Sequence, residues 1–223
     1  MAAKLWWIVH KDLASEWRAR RVWPAMLVFA AVVALVFSMQ MDLAPDQRSR
    51  IAGALVWLAV FFAGMPAIDR SLASEHDEGC WDALRLYPMP GTLIYLAKLF
   101  VNFIALASLE CFIVPLFVAL GSIPLGAHPC HVAIVAALAN FSISAVGTLA
   151  SALMAGTRHG GGLVALVVLP LSVPVLLAAA EATRLLMEGD PGPEWWRWIQ
   201  LLAAFAIVFL AAGIALFEYA VEE

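Results

Sequence analysis

Charge is scarce in this chain. Of its 223 residues only 13% are Asp, Glu, Lys or Arg, where a soluble domain carries about 25%. Positive charge is scarcer still, with 13 Lys and Arg against 17 Asp and Glu and a net of −4. The basic stripe that a phosphate backbone requires is missing, which excludes nucleic acid as a partner. Cysteine is nearly absent. Cys80, Cys111 and Cys130 are too few and too scattered for a disulfide framework or a structural zinc site, and no C-x-x-C pair occurs. Walker A, H-E-x-x-H and G-x-S-x-G are also missing, so nothing in the chain signals ATP hydrolysis or familiar hydrolytic chemistry.

What the chain has instead is apolar sequence, 64% of all residues. Crossing the hydrocarbon core takes about 20 predominantly apolar residues. Six stretches qualify: 22–41, 51–68, 93–120, 131–154, 163–183 and 198–217. The expectation is an all-α membrane protein, a single domain over 1–223 with six transmembrane helices. The polar stretch through Arg21 is too long for the n-region of a signal peptide, so the first span reads as an uncleaved signal anchor. With the N-terminus inside, nine Lys and Arg fall on inner segments (Lys4, Lys11, Arg18, Arg20, Arg21, Arg70, Arg85, Lys98, Arg158). Four fall on outer ones (Arg48, Arg50, Arg184, Arg197), which favours N-in and C-in. Trp195, Trp196 and Trp198 would then form an outer aromatic belt.

Several segments invite a function. In residues 4–20, Trp6, Val9, Leu13 and Trp17 share one helical face, with Lys4, Lys11, Ser15 and Arg18 on another. Such a helix lies in the membrane interface and bends into the first span as an elbow. Loop 69–90 is the longest polar interval. Its acids (Asp69, Glu75, Asp77, Glu78) either start a short helix through its dipole or flank a plug. Gly79 permits a turn, Trp81, Leu84 and Arg85 could line one or two helical turns before Pro88, and Trp81 and Leu84 would enter a partner's groove. The turn 156–162, with Arg158, His159 and four glycines, reads as a short hairpin ahead of an anion nest.

Within the spans, Asn140, Ser144, Thr148 and Ser151 fall on one face of the fourth. They make a packing seam first and a polar pathway second, which Asn102 could join. Glu110 is a charge within a span but about 26 Å along it, near the outer interface where water reaches it. Glu181 is placed the same way. His128, Cys130 and His131 are the one outer cluster of metal-type side chains, in no recognised ligand order. Pro170 and Pro174 in mid-span mark a kink, either static or the hinge of a gate.

These residues resemble the cytochrome c maturation haem-exporter B family, six-span permeases of the ABC-2 class. The resemblance is carried by the basic elbow from Trp6 to Arg21 and by the loop with Glu75, Asp77, Gly79, Trp81, Leu84, Leu86 and Pro88, followed by Ala97 and Lys98. The Arg158-His159-Gly160-Gly161 turn running into Leu169-Pro170-Leu171 and Pro174 also matches, as does the length. It covers essentially the whole chain.

The resemblance implies a non-enzymatic permease in the bacterial inner membrane, with no cofactor of its own, driven by ATP in a separate ATP-binding subunit. It also implies a haem-handling membrane subunit and a haem chaperone as partners, with haem as the transported or handled substrate. Glu75, Asp77, Gly79, Trp81, Leu84 and Arg85 would contact the ATPase, and two copies would form the working unit. The family's tryptophan-rich haem motif belongs to another subunit, and the three tryptophans here do not reproduce it. The alternative in the same architecture is an ABC-2 exporter of a lipid or drug. An intramembrane lipid-modifying enzyme would need clustered carboxylates or histidines at depth. A di-haem carrier would need paired mid-span histidines, but all five His lie at or outside span ends.

Overall fold

The computed structural model describes residues 7, 9–12, 23–39, 45–77, 91–121, 128–154, 163–189 and 191–222; for 45–50, 71–77, 121, 163 and 218–222 it describes the backbone alone. The six long elements are all helices: α1 (Trp23–Ser38), α2 (Pro45–Asp77), α3 (Gly91–Gly121), α4 (Pro129–Met154), α5 (Leu163–Glu188) and α6 (Pro193–Glu222). Residues 9–12 are helical too, and no strand occurs among the described residues. Proline sets the starts. Pro45, Pro129 and Pro193 open α2, α4 and α6, positions where the missing N–H would have had no helical partner. Ahead of α4 the His128 carbonyl accepts from the Val132 N–H at 3.0 Å, fixing the first turn.

Five helices, α2 to α6, are long and apolar enough to cross a membrane. The sixteen residues of α1 rise about 24 Å, short of a hydrocarbon core of about 30 Å. Predicted and observed bounds differ elsewhere in one direction: the helices outrun the apolar stretches. Helix α2 continues nine residues past 68, α5 five past 183 and α6 five past 217. Apolar composition marks where lipid begins and ends, whereas a helix stops only where its backbone must turn. Pro66, Pro115, Pro170 and Pro174 all lie inside helices that run on through them. Within a bundle, neighbouring groups satisfy the carbonyls that proline frees.

Helix α4 is the hub, packed against α2, α3, α5 and α6. Its buried face is built of small residues, among them Ala139, Ser144, Ala145, Gly147 and Ser151, which let neighbouring backbones approach. Helix α1 stands at the margin against α2 and α3. Gly53 shows the tightness of the α2–α5 crossing: a Cβ there would lie 2.7 Å from the Ala180 carbonyl oxygen. One turn on, Trp57 Nε1 donates to Thr183 Oγ1 at 3.0 Å, and Thr183 donates back to the Ala179 carbonyl at 2.7 Å. The outward surface is apolar, with Val32, Leu166, Leu177 and Ile207 exposed. Such a surface suits lipid and would drive association in water.

Candidate functional site

The end of the bundle that carries Gly91 is organised around Lys98, seven residues into α3. Its ammonium lies 2.8 Å from Asp12 Oδ2, with side-chain exposures of 4% for Lys98 and 11% for Asp12. Lys11, exposed, approaches the other oxygen of Asp12 at 3.5 Å. Val9 is buried against Ala97 and Val101 of the same helix. Trp7, in contrast, is 77% exposed. The N-terminal segment thus presents one apolar contact and one buried ion pair to the start of α3. Trp6, Leu13 and Trp17 of the expected elbow face lie outside the described residues. Sequence reasoning missed the ion pair. Its only signal was a lysine inside an apolar run, and nothing local tied it to a residue 86 positions earlier.

The loop 69–90 is shorter than its composition suggested. Residues 69–77 continue α2, so Asp69 and the backbone of Glu75 and Asp77 sit on its last turns. These acids do not start a short helix, as one sequence reading held. They lie at a helix C-terminus, where the dipole disfavours them. The helix persists because nothing between Asp69 and Asp77 breaks it; the first glycine is Gly79. Gly79, Trp81, Leu84 and Arg85 lie outside the described residues, as does the turn 156–162.

Asn102 and Glu110 on α3 meet Thr148 and Asn140 on α4. Asn102 Nδ2 donates to Thr148 Oγ1 at 2.8 Å, and Asn140 Nδ2 donates to Glu110 Oε2 at 2.5 Å. Eight residues separate the two pairs on both helices, so they bridge one antiparallel seam at levels about 12 Å apart. Ser144, midway between them on α4, is buried with its hydroxyl unpartnered. The structure therefore brings Asn102, Asn140, Ser144 and Thr148 together and adds Glu110.

Glu110 corrects the sequence reading, which put it near water. It is 7% exposed, and because α3 runs on to Gly121 it lies eleven residues short of the end of that helix. Asn140 is likewise eleven residues past the first residue of α4. That is about 16 Å in from the C-terminal end of α3 and from the N-terminal end of α4.

At the far end of the bundle, Trp195 does not join an aromatic belt. It is fully buried, edge-on to His131 at 4.9 Å and to Trp196 at 5.2 Å; Trp196 is the exposed member. A helix starting at Pro193 places Trp195 one step further round, against α4. His128 stands 5.8 Å from His131, and Cys130 is exposed. Among the described residues no three His, Cys, Asp or Glu side chains gather as a metal site would require. Glu181 is clamped rather than merely solvated: Arg184 donates to Glu181 at 2.7 Å and to Glu188 at 2.6 Å. Pro170 and Pro174 flank Ser172, which is buried with an unpartnered hydroxyl.

This geometry defines a multi-pass helical membrane protein with a buried polar seam and an ion-paired N-terminal segment. Residues 3–222 match the family described as CcmB protein, and the chain belongs to that family. It is 27% identical over 190 residues to heme exporter protein B of Pseudomonas aeruginosa, covering 85% of this chain and 84% of that one. Over 204 residues it is 28% identical to heme exporter protein B of Paracoccus denitrificans, covering 92% of both. The Escherichia coli K12 protein of the same name is 25% identical over 177 residues, covering 79% of this chain and 80% of its own.

Proposed function

We propose that this chain is the membrane-spanning permease subunit of a haem-export system for cytochrome c maturation. The carrying observation is the family match over residues 3–222, joined to relatives named heme exporter protein B that align along most of their length. In this reading the chain makes six spans in the bacterial inner membrane with both termini inside, α1 completed by flanking residues, and two copies form the working unit. Haem is cargo, passed to a haem-handling membrane subunit and a haem chaperone.

ATP is hydrolysed in a separate subunit, because the chain has no phosphate-binding loop of its own. Trp81 and Leu84 anchor that subunit, while Glu75, Asp77 and Arg85 set its orientation and Gly79 provides the turn. Rigid α2 carries this contact into the membrane, and Lys98, held by Asp12, marks where the loop re-enters it. Asn102, Asn140, Ser144 and Thr148 line a path that is closed while the seam is bonded, with Pro170 and Pro174 as the hinge of its gate.

The test is complementation of a strain deleted for this chain, read as covalently bound haem in c-type cytochromes, with co-purification of the ATPase. Buried aromatic anchors cost about 2 kcal/mol or more on truncation. Trp81→Ala should therefore lose the ATPase and cytochrome maturation at unchanged membrane abundance, and Glu75→Ala should show a milder defect. Normal cytochromes in the deletion strain, with lipid or drug export lost instead, would overturn the haem reading. Wild-type ATPase recovery with Trp81→Ala and Leu84→Ala would overturn the docking role of the loop.

A further inference from the structure

A carboxylate at the depth of Glu110 needs a compensating positive charge, and none stands there among the described residues. The ion pairs among the described residues gather at Asp12 and Arg184, and none includes Glu110. Lys98 on the same helix is twelve residues away, about 18 Å along the axis. The hydrogen bond from Asn140 comes from a neutral amide and leaves the charge in place. Lipid supplies no cation either: Phe112, two residues along α3, is exposed there.

Two further buried oxygens lie on the face of α4 that carries the carboxylate's partner. Asn140 Oδ1 is buried without a partner although the other end of the same amide binds Glu110. Ser144 Oγ, one turn along the same face of α4, is buried and unpartnered as well. Buried polar atoms are normally satisfied, so two such oxygens, one on the carboxylate's own partner and one a turn along the same face, mark a place built for something. One carboxylate, one amide carbonyl and one hydroxyl form an all-oxygen donor set, which is the chemistry of a hard monocation or of a shared proton.

We propose that Glu110, Asn140 and Ser144 form an intramembrane cation site that takes one positive charge, a proton or an alkali-metal ion, from the aqueous side. A proton would sit on a Glu110 carboxyl oxygen and be donated to Asn140 Oδ1. An alkali-metal ion would draw on the carboxylate, the amide oxygen and the hydroxyl together. In both cases the chain gains one charge and no bond to carbon changes. The site lies on the α3–α4 seam with its carboxylate about 12 Å from the Asn102–Thr148 bridge level, so its occupancy governs how firmly these helices hold together. The proposal is independent of the cargo, and its test reads no transport.

The test uses the full-length protein in phosphatidylcholine nanodiscs at neutral pH. Infrared spectra are taken in the region of the protonated carboxyl stretch. Thermal unfolding is measured in sodium, potassium or choline chloride at fixed ionic strength. Glu110→Gln keeps an acceptor oxygen for Asn140 while removing the charge.

A carboxyl band of one group per chain, absent from Glu110→Gln, supports the site with a proton as occupant. A midpoint raised by sodium or potassium over choline, with that rise lost in Glu110→Gln and reduced at least tenfold in apparent affinity by Ser144→Ala, supports a metal ion. Identical bands and identical salt responses in wild type and Glu110→Gln would overturn the proposal. Should Glu110→Gln fail to accumulate, wild-type protein labelled with carbon-13 glutamate decides. A shifted band or a cation-specific midpoint upholds the site, and neither one sinks it.

Discussion

Asp12→Ala is the most informative perturbation of the N-terminal segment. Removing one partner of a buried ion pair costs about 3–5 kcal/mol, because the remaining charge has been taken out of water. Here the value falls at or below the lower end of that range. Asp12 keeps 11% exposure, so water already screens it in part, and Lys98 retains a further interaction. An expected loss of about 2–3 kcal/mol corresponds to about a 30- to 150-fold shift in a local equilibrium.

The equilibrium that shifts is release of residues 9–12 from α3, because the segment's apolar contact among the described residues is the small one of Val9 with Ala97 and Val101. Amide hydrogen exchange in lipid nanodiscs measures it. Residues 9–12 should lose protection by that factor while α4 keeps its own. Lys98→Met should release the segment similarly, and Asp12→Ala with Lys98→Met should cost less than the two single changes summed, since both remove one interaction. Additive effects, or unchanged protection in Asp12→Ala, would refute the idea that this pair holds the segment.

The α2–α5 crossing gives two sharper stability tests. Thr183→Val removes the oxygen that Trp57 Nε1 donates to, leaving a buried indole N–H; the expected loss is about 0.6–1.7 kcal/mol, read as a lowered thermal midpoint in lipid, and Trp57→Phe in the same background should add little. Gly53→Leu would push a side chain into the Ala180 carbonyl and force the helices apart, costing about 1–3 kcal/mol, with Gly53→Ala milder; a wild-type midpoint for Gly53→Leu would mean that the crossing yields freely.

The sequence by itself determined the class of the molecule, five of its membrane-crossing helices and the family resemblance. Lipid demands apolar stretches of a set length with every backbone group bonded within the segment, and this local requirement is written in consecutive residues. The face of Asn140, Ser144 and Thr148 was legible for the same reason, since helical periodicity is local. So was the lack of a phosphate-binding loop, because that loop would be a contiguous motif.

Tertiary structure alone decided which side chains meet. Asp12 finds Lys98, Trp57 finds Thr183, and Glu110 finds Asn140 only when helices distant in sequence take a particular rotation and register. Three readings changed for that reason. Glu110 moved from the water's edge into the core, Trp195 from a surface belt to a contact with His131, and Glu75 and Asp77 from a loop to the last turns of α2. The first two depend on where a helix ends and what it faces. The third arises because a helix continues beyond the lipid until glycine or proline stops it, so hydropathy reports the extent of the membrane and not the extent of the helix.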